Sequence, residues 1–540
     1  MAAADMQSPQ RDSLLPTENP QAAVRGSGVS VYFDDNKSEV GHGRRSLHGG
    51  AISLISRAVN AAIQVGAVLF LARLLSPEDY GLVSMVSAIT GFAAMVVDLG
   101  TRDAIVQRPR ISEGEISALF WITLAVGLGF ASLVAICGPL IAQFYGEPRL
   151  TMIAVVSAVT CVAAGLSCQH QALLRRAMKF QELGAVEICA NLFSAGLAIT
   201  LALYGFHYWA LVLRPVLTGA FFAMGVWLRC PWLPPRPTMT SGVTEMVKFG
   251  LHTGGYQITD FGGRSIDRVA IGYRSGATPL GYYQNAMLVY ENLLDVLGTA
   301  LHGVSVASLS KVRDDPNELR RLWGKAVSTL AFYAMPLFGI LAVTSQDVIV
   351  LLLGAKWSNA GMLLRILAFR GIPHSVERTV GWLHVTAGRS DRWMRWGLLV
   401  ACAQLVALFS GLPFGPTGVV SAYVICTFVL FIPGLVYAGR PLDIGAPDVI
   451  KVLWRPLTGA LMAAAVGEVL RYTMLVHLSE IVRTGVLTLA YVTVYLLIVV
   501  GLFRLRSPIH VVLQLMSEYW PARFARGGAI QGFMDEDHQG

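Results

Sequence analysis

Four stretches of this chain carry no Asp, Glu, Lys or Arg over lengths that a soluble fold rarely sustains. They run from Ile116 to Gly146, Leu150 to Leu174, Ile188 to Leu213 and Trp396 to Gly439. A membrane-spanning helix needs about 20 mostly apolar residues, and the last run is long enough for two. Its middle, Gly411-Leu412-Pro413-Phe414-Gly415-Pro416, is turn chemistry and predicts a hairpin of helices. Lipid offers backbone groups no partner, so a span is a helix or a closed barrel. These runs do not alternate as barrel strands do, which leaves helices. Charged residues make up only 14% of the 540 residues, against roughly 25% in soluble domains, and the mean hydropathy is +0.55. This excludes a soluble enzyme, a disordered chain and a nucleic-acid binder, despite a formal net charge of +8.

The pattern predicts an all-α, polytopic membrane protein with about 14 transmembrane helices. They fall near 50–72, 81–99, 117–140, 150–167, 184–204, 208–228, 250–272, 282–306, 326–353, 362–387, 397–411, 417–437, 456–476 and 484–503. The first, seventh and tenth contain charges and are weak by hydropathy. They are retained because loops rich in Lys and Arg stay cytoplasmic. With the N-terminus inside, 29 basic residues fall in inside segments and four (Arg73, Arg149, Arg274, Lys356) outside. Deleting one span would reverse every later loop. Both termini are therefore expected in the cytoplasm. The polar residues 1–48 lack a signal-peptide core and are expected to be disordered. After Leu505, Ile509, Val512, Leu513 and Met516 have helical spacing, with Trp520 as an interfacial anchor, so a surface helix is expected. The seven cysteines form no CxxC or metal spacing and read as small apolar residues.

No outside loop exceeds about a dozen residues, which argues against an enzyme that finishes sugar chains outside. No GxxxxGK[ST] motif occurs, so ATP hydrolysis is not expected. The two halves echo one another. Ser53, Arg57, Asn60 and Gln64 share a helical face that leads to Ser76-Pro77-Glu78-Asp79-Tyr80-Gly81. Thr253, Gln257, Asp260 and Arg264 share another that leads to Thr278-Pro279-Leu280-Gly281-Tyr282-Tyr283. The offset is about 200 residues. Six helices separate the copies, so they run the same way, as in a parallel repeat with its substrate site between the halves.

The run Phe70-Leu71-Ala72-Arg73-Leu74-Leu75-Ser76-Pro77-Glu78-Asp79-Tyr80-Gly81, followed by Asp98-Leu99-Gly100, resembles the start of Wzx-type polysaccharide flippases. These belong to the multidrug/oligosaccharidyl-lipid/polysaccharide exporter superfamily. Asp267-Arg268-Val269-Ala270-Ile271-Gly272 through Leu280-Gly281-Tyr282-Tyr283 looks like that family's seventh and eighth helices. The resemblance implies two pseudo-symmetric six-helix bundles around a central cavity, with an extra C-terminal helix pair. The corresponding division is 1–48 cytoplasmic tail, 49–229 N-terminal bundle, 230–249 cytoplasmic linker, 250–440 C-terminal bundle, 441–503 additional pair and 504–540 cytoplasmic tail. It further implies translocation of an undecaprenyl-pyrophosphate-linked oligosaccharide across the bacterial inner membrane by alternating access, for exopolysaccharide, capsule or O-antigen biosynthesis. The protein would be no enzyme and would need no cofactor. Its partners would be the lipid-linked substrate, membrane lipids and, among proteins, a polysaccharide polymerase and a chain-length regulator. An ion-coupled exporter of small molecules or lipid precursors shares the architecture and stays open as an alternative, as does a non-transporting scaffold.

Charges inside the spans mark the candidate site. Each costs roughly 2.5–3.5 kcal/mol at the bilayer centre on insertion scales. The seventh span carries Asp260, Arg264, Asp267 and Arg268 on one face. Two readings fit: buried ion pairs (Asp260–Arg264, and Asp267 with Arg268 or Arg264), or a cavity wall that meets an anionic head group. On the tenth span Arg370, His374, Glu377 and Arg378 lie within two turns, with Glu377 the expected partner of Arg378 and Pro373 a possible kink. Glu291 and Asp295 repel at i, i+4, which suits cation binding or partners on other helices. Arg57, Arg214, Arg264, Arg268, Arg365, Arg370, Arg378, Arg471 and Arg483 fall in spans, and no Lys does. Arginine grips phosphate with two parallel bonds, so this set suits a pyrophosphate better than an organic cation. The expected substrate contacts are Arg57, Asn60, Gln64, Gln257, Arg264, Arg268, Arg370 and Arg378. Asp260, Asp267, Glu291, Asp295 and Glu377 are expected to couple or pair ions, and Asp98 with Arg102 to form a gate or a structural pair. Tyr256, Tyr282, Tyr283 and Tyr290 could stack on sugars, with interfacial anchoring the competing role for Tyr282 and Tyr283.

Overall fold

The computed structural model describes residues 42–98, 100–108, 111–237, 241–312, 315–505 and 507–508, with the side chains of 42–55, 251–264, 296–311 and a few single positions outside the description. Among the described residues there is no strand. The expected surface helix after Leu505 lies outside them.

Seven helices come first: α1 (His42–Leu74), α2 (Pro77–Asp98), the short α3 (Thr101–Gln107), α4 (Glu113–Tyr145), α5 (Arg149–Arg176), α6 (Phe180–Leu203) and α7 (Tyr208–Arg229). Then come α8 (Ser241–Ser275), α9 (Ala277–Lys311), α10 (Pro316–Leu353), α11 (Ser358–Glu377), α12 (Thr379–Ala387), α13 (Ser390–Gly411), α14 (Gly415–Gly439), α15 (Ala446–Thr473) and α16 (Glu480–Leu496). Setting α3 aside and joining α11 to α12 leaves 14 long helices that overlay the 14 expected spans. Ten stretches of the described residues are long and apolar enough to cross a membrane, and one of them, Asp391–Leu442, covers both α13 and α14. The chain is a multi-pass membrane protein. Helix α1 already begins at His42, inside the expected tail. The tenth span does not break at Pro373; the helix runs on to Glu377 and is interrupted at Arg378.

Local chemistry sets the helix starts. Ser76 caps α2: its backbone N–H and hydroxyl donate to Asp79 Oδ2 at 2.8 and 2.7 Å, while the Asp79 N–H donates back to Ser76 Oγ at 3.2 Å. Pro77 sits at the first helical position, where its missing N–H costs nothing. The Ser-Pro-Glu-Asp run is thus a reciprocal cap. Ser112 and Glu115 start α4 the same way.

Helices α1, α2 and α4–α7 pack together, as do α9–α11, α13 and α14. Between these two bundles α2 lies against α8 and α9, α3 and α4 lie against α8, and α1 touches α10. The α1–α2 and α8–α9 turns lie at one end, called here the turn end. There Gly81 and Gly281 face each other's helices. A methyl group on Gly81 would overlap the Ala277 carbonyl, and one on Gly281 would overlap the Pro77 carbonyl. Each glycine therefore meets the residue four positions before the other. This reciprocity sets the repeat at an offset of 200 residues, since 281 minus 81 is 200. The prolines of the two copies are out of step by two, because Pro77 pairs with Ala277 and not with Pro279. Close approach through small residues is how membrane helices pack without a hydrophobic drive.

The last pair, α15 and α16, docks on α10. Tyr495 donates to Phe332 O at 2.9 Å. Asp347 of α10 is 2% exposed and shared by two guanidiniums, Arg483 Nε at 3.1 Å and Arg471 Nη2 at 3.4 Å. Arg365 of α11 bonds Glu468 of α15 at 2.7 Å. Three of the nine span arginines expected to line a cavity therefore fasten the added pair instead.

Candidate functional site

Two polar clusters lie within the helices, one in each bundle. In the first, Arg102 binds Asp98 through Nε at 3.0 Å and Nη2 at 2.6 Å. Its Nη1 donates to Gln171 of α5, and Cys168 Sγ donates to Asp98 Oδ1 at 3.2 Å. Gly100 makes this possible: at φ +64° it turns the chain from α2 into α3, a conformation with little penalty only for glycine. The Asp-Leu-Gly motif thus anchors and turns the chain. Every one of these bonds stays within the first bundle, so in this state the Asp98–Arg102 pair, weighed as a gate or a structural pair, ties the α2–α3 turn to α5.

Around this tie Glu187 of α6 lies within electrostatic reach of Arg175, Arg57 and Arg102. Asn60 is buried and accepts from Asn191 Nδ2 of α6 at 3.1 Å. Arg57 and Gln64 lie two turns apart on the exposed side of α1. Among the described residues Arg57 makes no ion pair within 4.0 Å. Arg175 and Glu187 were not anticipated, since each lies at the end of an apolar run where a charge reads as ordinary loop chemistry.

The second cluster joins α8, α9, α11 and α14. Asp267 is buried and accepts from Tyr283 Oη and, at 2.7 Å, from the Arg268 backbone N–H. Of the two cations weighed as its partner, the Arg268 side chain makes no ion pair with it within 4.0 Å, and the Arg264 side chain lies outside the described residues. Tyr283, weighed as an interfacial anchor, is buried: a hydroxyl bound to a buried carboxylate belongs in the interior. Arg370 is also buried. Its Nε donates to Thr427 Oγ1 at 3.1 Å and its guanidinium lies 5.2 Å from the centre of the Tyr423 ring. Neither Asp267 nor Arg370 has an opposite charge within 4.0 Å among the described residues. They sense each other across the tyrosines. Tyr290 bonds His374 Nδ1 at 2.6 Å with the rings nearly parallel. Because Tyr290 is buried, it is not free to stack on a sugar in this state.

Arg378 does not pair with Glu377 as expected. It reaches α9, bonding Asp295 Oδ1 at 3.0 Å and Leu294 O at 3.0 Å. This also answers the Glu291–Asp295 repulsion, because Asp295 gains a cation from another helix. Arg268 is half-buried. The side chains of Gln257, Asp260 and Arg264, and of Tyr256, lie outside the described residues. Thr427 and Tyr423, which hold Arg370, were not anticipated: a Tyr and a Thr in a charge-free run carry no sequence signal that singles them out.

The family of "Polysaccharide biosynthesis protein" matches residues 70–361, more than half of the chain. The chain belongs to that family. It is 25% identical to the teichuronic acid biosynthesis protein TuaB of Bacillus subtilis over 72% of its length and 82% of the relative. It is 24% identical to the succinoglycan biosynthesis transport protein ExoT of Rhizobium meliloti, covering 66% of this chain and 73% of the other. The lipopolysaccharide biosynthesis protein WzxC of Escherichia coli is 23% identical over 64% and 71%. In fold it is similar to the lipid II flippase MurJ in an inward closed conformation, with a TM-score of 0.64, 14% identity, and coverage of 85% of this chain and 99% of the other. It is also similar in fold to an inward-facing multidrug resistance MATE family transporter of the MOP superfamily, with a TM-score of 0.54, 13% identity, and coverage of 72% of this chain and 98% of the other.

Proposed function

We propose that this protein flips an oligosaccharide linked to undecaprenyl pyrophosphate from the inner to the outer leaflet of the bacterial cytoplasmic membrane, by rocking one bundle against the other. It consumes no nucleotide and makes or breaks no covalent bond. The observation that carries the reading is the pairing of two repeat bundles on reciprocal glycines at one end, with arginines away from that contact. Rigid-body rocking about a site between repeats is what such symmetry permits. The relatives named for polysaccharide biosynthesis and transport support the substrate class. The 29-to-4 division of basic residues supports cytoplasmic termini, which makes the turn end the outer end.

Roles divide between the clusters. Arg57 and Gln64 on α1, with Asn60 beside them, receive the pyrophosphate, joined by Gln257, Arg264 and Arg268 from α8. A guanidinium keeps its charge and offers a planar fork to phosphate oxygens. Asp267, Arg370, His374 and Glu377 form the group whose charge balance changes through the cycle, with Asp260 and Glu291 on the same helices. Arg378 and Asp295 separate when substrate or ion competes for either.

The test is the lipid-linked intermediate itself. A strain lacking this chain accumulates full-length lipid-linked oligosaccharide on the inner leaflet, and the plasmid-borne chain clears it. Accumulation on the outer leaflet would mean a later step, and no accumulation would favour export of a small molecule or a scaffolding role.

A further inference from the structure

One span arginine belongs to neither cluster. Arg214 lies on α7, about 9 Å along the helix from Tyr208, its start at the turn end. Its neighbours one turn earlier, Ala210 and Leu211, are buried, so this face of α7 looks into the protein and not into lipid. Arg214 itself is half-buried. Among the described residues its guanidinium makes no hydrogen bond and no ion pair within 4.0 Å. It senses Tyr80 of α2 and no carboxylate. Tyr80 brings it no charge, since that hydroxyl sends its proton to Val68 O at 3.4 Å. The other described span arginines without an ion pair are better matched. Arg57 senses Glu187, Arg268 senses Asp267, and Arg370 bonds Thr427. A charge withdrawn from water without a partner is costly. Inside a membrane span it marks a place where a ligand supplies that partner.

Hydrogen bonds fix Arg214 relative to the residues proposed to receive the pyrophosphate. Asn60 of α1 accepts from Asn191 Nδ2 of α6 at 3.1 Å. One turn on, Ser194 donates to Asn191 O at 3.1 Å. Thr218 Oγ1 of α7 lies 2.7 Å from Ser194 Oγ and 2.9 Å from Arg214 O. This chain holds α1, α6 and α7 in register. Measured along each helix from the turn end, Asn60 is about 21 Å deep, Asn191 about 18 Å, Thr218 about 15 Å and Arg214 about 9 Å. Arg57, one turn below Asn60, is about 26 Å deep. Two arginines with unfilled forks thus stand at different depths of one bundle. Near the upper one, Tyr80 meets Trp357 of the second bundle edge-on, with ring centres 5.2 Å apart.

We infer that Arg214 is a second anion station on the first bundle, which takes the phosphoryl group of the lipid-linked substrate in the outer half of the membrane. Arg57 receives that group at the deep end, and Arg214 receives it once the bundles part at the turn end and Trp357 leaves Tyr80. Each offers a planar fork to phosphate oxygens. The inference rests on the flippase reading above. It adds a substrate contact on α7, a helix with no other assigned role in transport.

A ligand-binding arginine and a structural one respond oppositely to replacement. Removing a charge that has no partner relieves a cost, so Arg214→Met should equal or exceed the parent in heat resistance without ligand. The full-length protein in detergent is then titrated with undecaprenyl pyrophosphate, undecaprenol and phosphatidylglycerol, and binding is read by native mass spectrometry. Undecaprenyl pyrophosphate should bind Arg214→Met about tenfold more weakly, from the loss of a charge-assisted hydrogen bond. Arg214→Lys should fall between the two, and undecaprenol should not distinguish the three proteins. Lower heat resistance without ligand, or an unchanged affinity for undecaprenyl pyrophosphate, would overturn the inference. So would a loss confined to phosphatidylglycerol, which would make Arg214 an anchor to outer-leaflet lipid. Should Arg214→Met give too little protein, Arg214→Gln is read the same way. The binding needs no export, so it stands apart from the accumulation test. Weaker binding without inner-leaflet accumulation in the deletion strain would keep the anion station and sink the flippase reading. Accumulation with unchanged binding would do the reverse.

Discussion

Replacing Asp347 with alanine strands two cations at once. The carboxylate is 2% exposed, against 11% for Arg471 and 20% for Arg483. Removing one partner from a buried ion pair costs about 3–5 kcal/mol, and the near-complete burial of Asp347 argues for the upper part of that range. Arg471→Met should cost less, about 1.5–3 kcal/mol, because Arg483 keeps its carboxylate at 3.1 Å. The assay is heat resistance of the detergent-solubilised protein, followed by size exclusion, alongside restoration of polysaccharide export in a deletion strain. Asp347→Ala should lower heat resistance sharply and export in proportion. Combining it with Arg471→Met and Arg483→Met should recover much of the loss, since the unpaired charge is what destabilises. Lost export at unchanged heat resistance would refute this reasoning. So would a triple variant no sturdier than Asp347→Ala. Either result would return these arginines to the transport pathway.

The other expectations use the same pair of measurements. Gly281→Ala meets the Pro77 carbonyl, which cannot rotate away; overpacking costs about 1–3 kcal/mol, so heat resistance and export should both fall, and an unaffected variant would remove the glycine pair from the axis. Arg370→Lys keeps the charge but loses the planar contact with Tyr423, so export should drop while insertion holds; full export would mean that charge alone suffices there. Asp98→Ala should destabilise, and Asp98→Ala with Arg102→Ala should recover part of the heat resistance, because the second change removes the cation that the first strands; no recovery would give Arg102 a stabilising partner besides Asp98.

The sequence reading succeeded where a signal has long range and failed where it depends on which neighbour a side chain meets. Charge-free runs and the alternation of basic loops locate α1, α8 and α11–α12 although charges weaken their hydropathy, because topology is a property of the whole chain. The Ser-Pro-Glu-Asp run stood out in the sequence as a repeated segment, and its role as a cap appeared only with the Ser76–Asp79 hydrogen bonds. Ion pairing was not legible in the same way. Glu377 is adjacent to Arg378 in sequence, yet Asp295 on α9 takes the guanidinium, as helix packing places that carboxylate at its end. The count of span arginines likewise mixed two populations. Arg365, Arg471 and Arg483 meet carboxylates of neighbouring helices, and only the packing of α15 and α16 separates them from Arg57, which has none within 4.0 Å among the described residues.

That separation sharpens the argument about where substrate is held. An arginine locked to a carboxylate has its fork already filled, and a ligand must compete with a partner that costs nothing to reach. Arg378 and Arg102 are in this position. Arg370 is buried and spends its donors on Thr427 and its face on Tyr423, so it serves the charge balance of its bundle better than it serves a bulky head group. Arg57 is exposed and shares the acid that reaches it, Glu187, with Arg175 and Arg102. Arg102 is matched by Asp98, and Arg57 is an arginine of this cluster whose fork no carboxylate fills within 4.0 Å among the described residues, which leaves it open to a phosphate. On the proposed function the first bundle would therefore offer the open guanidinium of Arg57 to an anionic head group, and the second, with Asp267 and Arg370 buried among tyrosines, would carry the charge that changes as the bundles rock.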